Sequence, residues 1–166
     1  MIRAIFLDVD GTLISFSTHE IPASALRALA QAHERGVRLF IATGRAANDL
    51  GPLEGIPYDG VVSLNGARCV ANDGRVVSLH PIPRADFERA LALSEEQDFA
   101  MGLELEEGVF VNRVTPDVER VAHMVAHPVP EQTDLRELFG RVECCQLCFY
   151  FDAETQRRVM TELPTL

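Results

Sequence analysis

The first apolar run of the chain, Ala4 to Leu7, is unbroken and stops at a carboxylate, Asp8. A short continuous run of this kind fits a strand buried on both faces, as in a parallel sheet. A helix is expected over about Pro22 to Arg35. Pro22 suits a first helical position, Leu26, Leu29 and Ala30 recur at helical spacing, and Gly36 is a stop signal. Val37 to Ala42 and Val61 to Leu64 read as further strands, with a helical piece between them. Strand, helix, strand, helical piece, strand is the signature of an open α/β sheet. Cys69 to Leu79 reads as a hairpin that turns at Asn72-Asp73-Gly74.

The pattern changes at Pro81 and Pro83, which suggest a linker. Beyond it a helix is expected over about Asp86 to Gln97, then strands Phe99 to Leu105 and Val109 to Val114 joined by Glu106-Glu107-Gly108. A helix near Asp117 to Ala126, a strand from Gln146 to Phe151 and a last helix over about Ala153 to Leu163 complete the chain. Strand pairs alternating with helices predict a second, smaller α+β unit, so the chain divides into 1–81 and 82–166.

The densest chemistry lies in Phe6-Leu7-Asp8-Val9-Asp10-Gly11-Thr12-Leu13. Asp8 and Asp10 stand two apart at the carboxyl end of the first strand, where open α/β sheets bind ligands. Period-two geometry aims both side chains to one side, and Gly11 then lets the backbone turn sharply. Carboxylates this close raise each other's pKa unless a cation holds them. Mg2+ is the natural complement, and its oxygen coordination goes with phosphate chemistry. The bland alternative is a turn or helix cap, since Asp-Gly-Thr alone is a common loop.

Asp8-Val9-Asp10-Gly11-Thr12 matches the DxDGT motif of the haloacid dehalogenase superfamily. Leu39-Phe40-Ile41-Ala42-Thr43-Gly44-Arg45 resembles its second motif, and Ser63-Leu64-Asn65-Gly66-Ala67 resembles the Asn-Gly-Ala segment of its Cof-type branch. The resemblance implies an α/β fold: a Rossmann-like core, with 1–81 as its N-terminal half, and an inserted α+β cap at 82–166. It implies that Asp8 attacks phosphorus and forms an acyl phosphate, while Asp10 protonates the leaving oxygen and then activates water. Mg2+ would be held by the Asp8 carboxylate and the backbone carbonyl of Asp10. The Thr43 hydroxyl and neighbouring N–H groups, with Gly44, Arg45, Asn65 and Gly66, would hold the phosphoryl oxygens. For Thr43 the alternative is a helix cap, for Arg45 an ion pair with an acidic neighbour, and for Asn65 and Gly66 a turn that serves only the fold.

Composition narrows the partners. The net charge is -10, and all 15 basic residues are arginine. No cluster of basic side chains could neutralise a phosphate backbone, which argues against nucleic acid and anionic membranes. A small phosphorylated metabolite remains open, provided a metal ion and a few local cations offset its charge. No apolar stretch reaches transmembrane length, and the N-terminus does not read as a signal peptide. Cys69, Cys144, Cys145 and Cys148 are too few and too clustered for a secreted disulfide framework, so a reducing cytoplasm is expected. Cys145 and Cys148 lie in a strand without a partner pair, and His123 and His127 lack an acidic neighbour, so neither pair reads as a metal site.

The resemblance breaks at two points. The family's lysine, which stabilises the aspartyl phosphate, is absent because the chain has no lysine. No later Gly-Asp segment completes the metal site. The economical expectation is the N-terminal portion of a longer phosphatase with one sheet edge uncovered; a short, degenerate protein is the alternative. The functions to be weighed are a Mg2+-dependent phosphomonoesterase acting on a small phosphate such as a sugar phosphate, a phosphotransferase such as a hexose phosphomutase, and a non-catalytic phosphate-binding remnant.

Overall fold

The structure, a computed structural model, describes residues 2–161 apart from Glu54 and Ala126. It divides into two compact units, Met1–His80 and Pro81–Leu166.

The first unit is built on β1 (Ala4–Leu7), α1 (Ala23–Glu34), β2 (Arg38–Ala42), β3 (Gly60–Ser63), β4 (Arg68–Ala71) and β5 (Val76–Leu79). The strands form one sheet in the order β1-β2-β3-β4-β5. β1, β2 and β3 run parallel, and β4 and β5 add antiparallel as a hairpin. Parallel neighbours require a crossover, which α1 supplies between β1 and β2. Leu29 of α1 packs with Leu39, Ile41, Val61, Val9 and Leu13 in the core of this unit. The helix begins one residue later than the sequence suggests. Pro22 is its cap rather than its first turn, and Gly36 closes it at a φ of 81°.

β1 is the strand at the uncovered edge. Among the described residues it pairs only with β2, so it is an edge strand. Ala4 and Phe6 are exposed, and the Phe6 ring is stacked on Phe40 of β2 at 5.0 Å.

At the opposite end of the sheet from the carboxylates, Asp59 extends the β2–β3 ladder with its own side chain. Its N–H donates to the Leu39 carbonyl at 2.7 Å, and its carboxylate accepts from the Leu39 N–H at 2.9 Å. This fixes the pairing in which Phe40 faces Gly60 and Ala42 faces Val62.

The second unit contains α2 (Arg84–Glu96), β6 (Ala100–Leu105), β7 (Gly108–Val111), α3 (Pro116–Met124), β8 (Glu131–Gln132), α4 (Leu135–Phe139), β9 (Gln146–Tyr150) and α5 (Ala153–Val159). Its sheet has the order β8-β7-β6-β9. Met101, Leu103 and Leu105 point to one face and pack with Phe87 and Leu91 of α2 and Leu135 of α4. Ala100, Val111 and Tyr150 point to the other and pack with Val118 of α3. The expected ends of the third and last helices, at Ala126 and Leu163, lie outside the described residues. Cys148 lies in β9, where burial pushes its thiol up to about 12, and burial likewise raises Cys144 to about 11. Among the described residues no helix is long and apolar enough to cross a membrane.

Candidate active site

The chain leaves β1 at Leu7 and immediately folds into a tight loop around the Val9 carbonyl. That oxygen accepts from the N–H groups of Thr12, Leu13 and Ile14 at 3.3, 3.0 and 2.9 Å. Gly11, with a φ of 77°, makes the reversal, and its N–H donates to the Ile14 carbonyl at 2.8 Å. Val9, Leu13 and Ile14 are buried, so the loop is anchored by alternate residues while Asp8 and Asp10 stay exposed. Apolar side chains thus hold the loop, and the carboxylates are left to the solvent side. The Thr12 hydroxyl donates to Oδ2 of Asp8 at 2.9 Å, which fixes that carboxylate.

A second wall comes from the ends of β2 and β3. Thr43 is buried, and its N–H donates to the Val62 carbonyl at 2.9 Å. Its hydroxyl oxygen accepts from the Arg45 N–H at 3.1 Å. After β3 the backbone turns through Leu64, Asn65 and Gly66, with φ values of 49°, 54° and 96°. Left-handed conformation at two successive non-glycine residues is uncommon and costs about 1–2 kcal/mol each. The turn is held by two cross-links to the β2 loop: the Asn65 N–H donates to the Thr43 carbonyl at 3.2 Å, and the Leu64 N–H to the Arg45 carbonyl at 3.1 Å. Asn65 also closes over Gly44, where a Cβ would meet its Oδ1 at 3.2 Å. Gly44, Thr43, Asn65 and Gly66 are therefore one backbone assembly.

Arg45 joins the two walls. Its Nε donates to Oδ2 of Asp10 at 2.9 Å and its Nη2 to Oδ1 at 2.7 Å, a bidentate pair. Its Nη1 donates to the backbone carbonyl and the carboxylate of Asp49, at 3.2 and 3.3 Å. The hydrogen bond and charge of Asp10 raise the guanidinium pKa further, with Asp49 assisting against partial burial. The structure thus brings together Asp8, Asp10, Thr43, Gly44, Arg45, Asn65 and Gly66. The sequence reading did not single out Thr12 or Asp49. Thr12 is inside the DxDGT motif, but its partner is set by the loop. Asp49 stands four residues after Arg45 outside any helix, so no periodic signal marks it.

The chain spans 61% of the length of a solved structure with which it shares 54% identity over 98% of its own residues, at a TM-score of 0.92. That structure is BT1666 from Bacteroides thetaiotaomicron, described among phosphatases of the haloalkanoate (HAD) superfamily. A second, BT4131, described as a HAD subclass IIB sugar phosphatase, is 28% identical, with a TM-score of 0.82. The match covers 98% of this chain and 64% of that one. YkrA of Bacillus subtilis (strain 168), named as a phosphatase, is 30% identical over 95 residues, or 57% of this chain and 36% of its own length. The family model described as haloacid dehalogenase-like hydrolase matches residues 5–166, and with the Rossmann-like α/β sheet carrying its motifs at the strand ends, the chain belongs to that family.

Proposed function

We propose that the protein is a Mg2+-dependent phosphatase that hydrolyses a small phosphomonoester through an aspartyl phosphate on Asp8. The observation that supports this best is the convergence of Asp8, Asp10 and the Thr43–Asn65 assembly after the carboxyl ends of β1, β2 and β3. A carboxylate oxygen of Asp8 attacks phosphorus, and the bond from phosphorus to the leaving oxygen breaks. The leaving oxygen takes a proton from Asp10. Water then attacks the acyl phosphate and gives a proton to Asp10, releasing inorganic phosphate and restoring Asp8. The Thr43 hydroxyl accepts from Arg45 and so keeps its own proton to donate to a phosphoryl oxygen. The Gly44 N–H and the Asn65–Gly66 turn line the same wall.

Among the described residues no group of three carboxylates, histidines or cysteines gathers to enclose an ion. The donors at hand are the Asp8 carboxylate and the backbone carbonyl of Asp10, both hard oxygens. They suit Mg2+, which keeps several waters and uses one or two carboxylates with the substrate's phosphate. When bound it would offset the charge that the phosphate brings to two aspartates. Residues 82–166 correspond on this reading to the family's cap. A sugar phosphate is the favoured substrate class because BT4131 is described as a sugar phosphatase. The four cysteines are free thiols, in keeping with a cytoplasmic protein.

The test is Asp8→Asn in the full-length protein, followed by turnover of an aryl phosphate and by circular dichroism. Turnover should fall by about a thousandfold or more with the fold kept, because the amide is a poor nucleophile. Near-native turnover would overturn the assignment.

A further inference from the structure

The guanidinium of Arg45 lies between two carboxylates, and this arrangement bears on what Asp10 can do. A carboxylate on a short side chain rotates freely about its last bond unless both oxygens are held. Here both are held. Nε meets one oxygen of Asp10 at 2.9 Å and Nη2 meets the other at 2.7 Å, which sets the plane of the carboxylate as well as its position. The clamp is itself fixed at three further points. Nη1 is taken by Asp49, the Arg45 N–H by the Thr43 hydroxyl, and the Arg45 carbonyl by the Leu64 N–H. The guanidinium is largely screened, with 23% of its side chain exposed against 44% for Asp10. No donor edge of the fork is left pointing at solvent alone: Nε, Nη1 and Nη2 each have a carboxylate oxygen within 3.3 Å.

The charges agree with the geometry. One guanidinium faces two carboxyl groups: with both ionised the trio carries one net negative charge, and with the proton that Asp10 gives to the leaving oxygen it is neutral, so in neither state does it offer surplus positive charge to an incoming phosphate. An arginine whose task was to grip phosphate would be expected to keep a donor edge for it.

We propose that Arg45 is the positioning residue of Asp10, with Asp49 as the back anchor that keeps the fork from turning. The proposal rests on the phosphatase reading above and takes the ion-pair alternative for Arg45 rather than phosphate contact. Arg45 and Asp49 act through Asp10, holding its carboxylate where the leaving oxygen and the attacking water pass. Misplacement of a reacting group by about 1 Å can cost on the order of a hundredfold.

The experiment compares wild type, Arg45→Ala, Arg45→Lys and Asp49→Asn in the full-length protein, each alone and with Asp10→Asn. Substrates are p-nitrophenyl phosphate and an alkyl phosphate, and inorganic phosphate serves as the product inhibitor. Arg45→Ala should lower kcat about a hundredfold for the alkyl phosphate and clearly less for the aryl one, whose leaving group needs less protonation. KM and the inhibition constant of inorganic phosphate should stay within about threefold. Arg45→Lys should recover only a small part of the loss, because a point charge cannot hold two oxygens. Asp49→Asn, which keeps size and fold, should lower kcat about tenfold with the same leaving-group bias. In the Asp10→Asn background all three substitutions should cost little more, since the group they position is gone. A raised KM and weakened phosphate inhibition with kcat kept would overturn the proposal and make Arg45 a phosphate contact. Losses equal for both leaving groups and additive with Asp10→Asn would overturn it as well. If wild type hydrolyses neither ester, the phosphatase reading itself fails and this inference with it.

Discussion

At the scale of single residues, the site is a set of substituted backbone needs. The reversal after Asp10 needs a positive φ, and Gly11 meets it at 77°. A Cβ there would lie 2.4 Å from the Phe16 ring, but that ring is exposed and can yield, so the backbone strain decides the outcome. Gly11→Ala should lower stability by about 1–2 kcal/mol, the cost of left-handed backbone for an L-residue. It should also lower turnover more than a comparable loss of stability elsewhere, because Asp8 and Asp10 lie directly before the strained turn. Urea titration paired with turnover checks both; an unchanged midpoint would mean that the loop relaxes into another turn. The carboxylate pair and its glycine were legible in the sequence because motif chemistry is local. The partners of Arg45 were not, since Asp10 and Asp49 stand 35 residues before it and four residues after it.

At the scale of elements, periodicity found the long ones and missed the short ones. α1, α2, β6 and β9 repeat their apolar positions often enough to be read. β8 has two residues and α4 five, too few for either period to register. α4 is instead held by its cap, with the Asp134 carboxylate accepting from the N–H groups of Arg136 and Glu137 at 2.8 and 3.0 Å. β1 lies where its apolar run placed it, and among the described residues it has one strand neighbour, β2. β9 carries a chemical mark of its packing. Cys148 is pushed up to about 12 from 9.0, chiefly by burial, with Glu104 adding to the effect. Its thiolate is the reactive form, so iodoacetamide at pH 8 should modify Cys148 only when urea unfolds the unit. The sign for stability follows. The unfolded thiol ionises near 9 while the folded one keeps its proton until about 12. The native state binds more protons across that window, so this group's contribution is full below pH 9 and is lost as pH rises towards 12. Mass spectrometry of labelled peptides and alkaline urea titrations measure the two effects. Rapid native labelling of Cys148 would contradict its burial.

At the scale of the whole molecule, two properties govern behaviour in solution. The charge of -10 repels other anions, so anything phosphorylated must be received by local donors rather than by a general field. Against that repulsion stands the outer edge of β1, where Phe6 is 62% exposed and the strand has no neighbour on that side among the described residues. Open strand edges pair with other chains, and lysine on such an edge discourages it. Phe6→Lys in this 166-residue chain should therefore reduce concentration-dependent association in sedimentation velocity. The lost stacking on Phe40 should cost about 0.5–1.5 kcal/mol in stability. Association of equal strength in the variant would locate the sticky surface elsewhere.

The pairing of Asp59 with Leu39 gives the molecule a further vulnerability. Parallel strands have no tight turn to set their alignment, and a slip of one residue exchanges the faces of every side chain. The two hydrogen bonds of Asp59 act at the far end of β2 and β3, yet Thr43 and Leu64 follow directly from the ends of the strands they align. Damage at Asp59 would reach the wall formed by Thr43 and Leu64 as a shift of frame rather than as a missing group. A screen for inactive variants would then score Asp59 beside the residues proposed to react, although it stands at the far end of the strands, and a genetic map of the site would be longer than its chemistry.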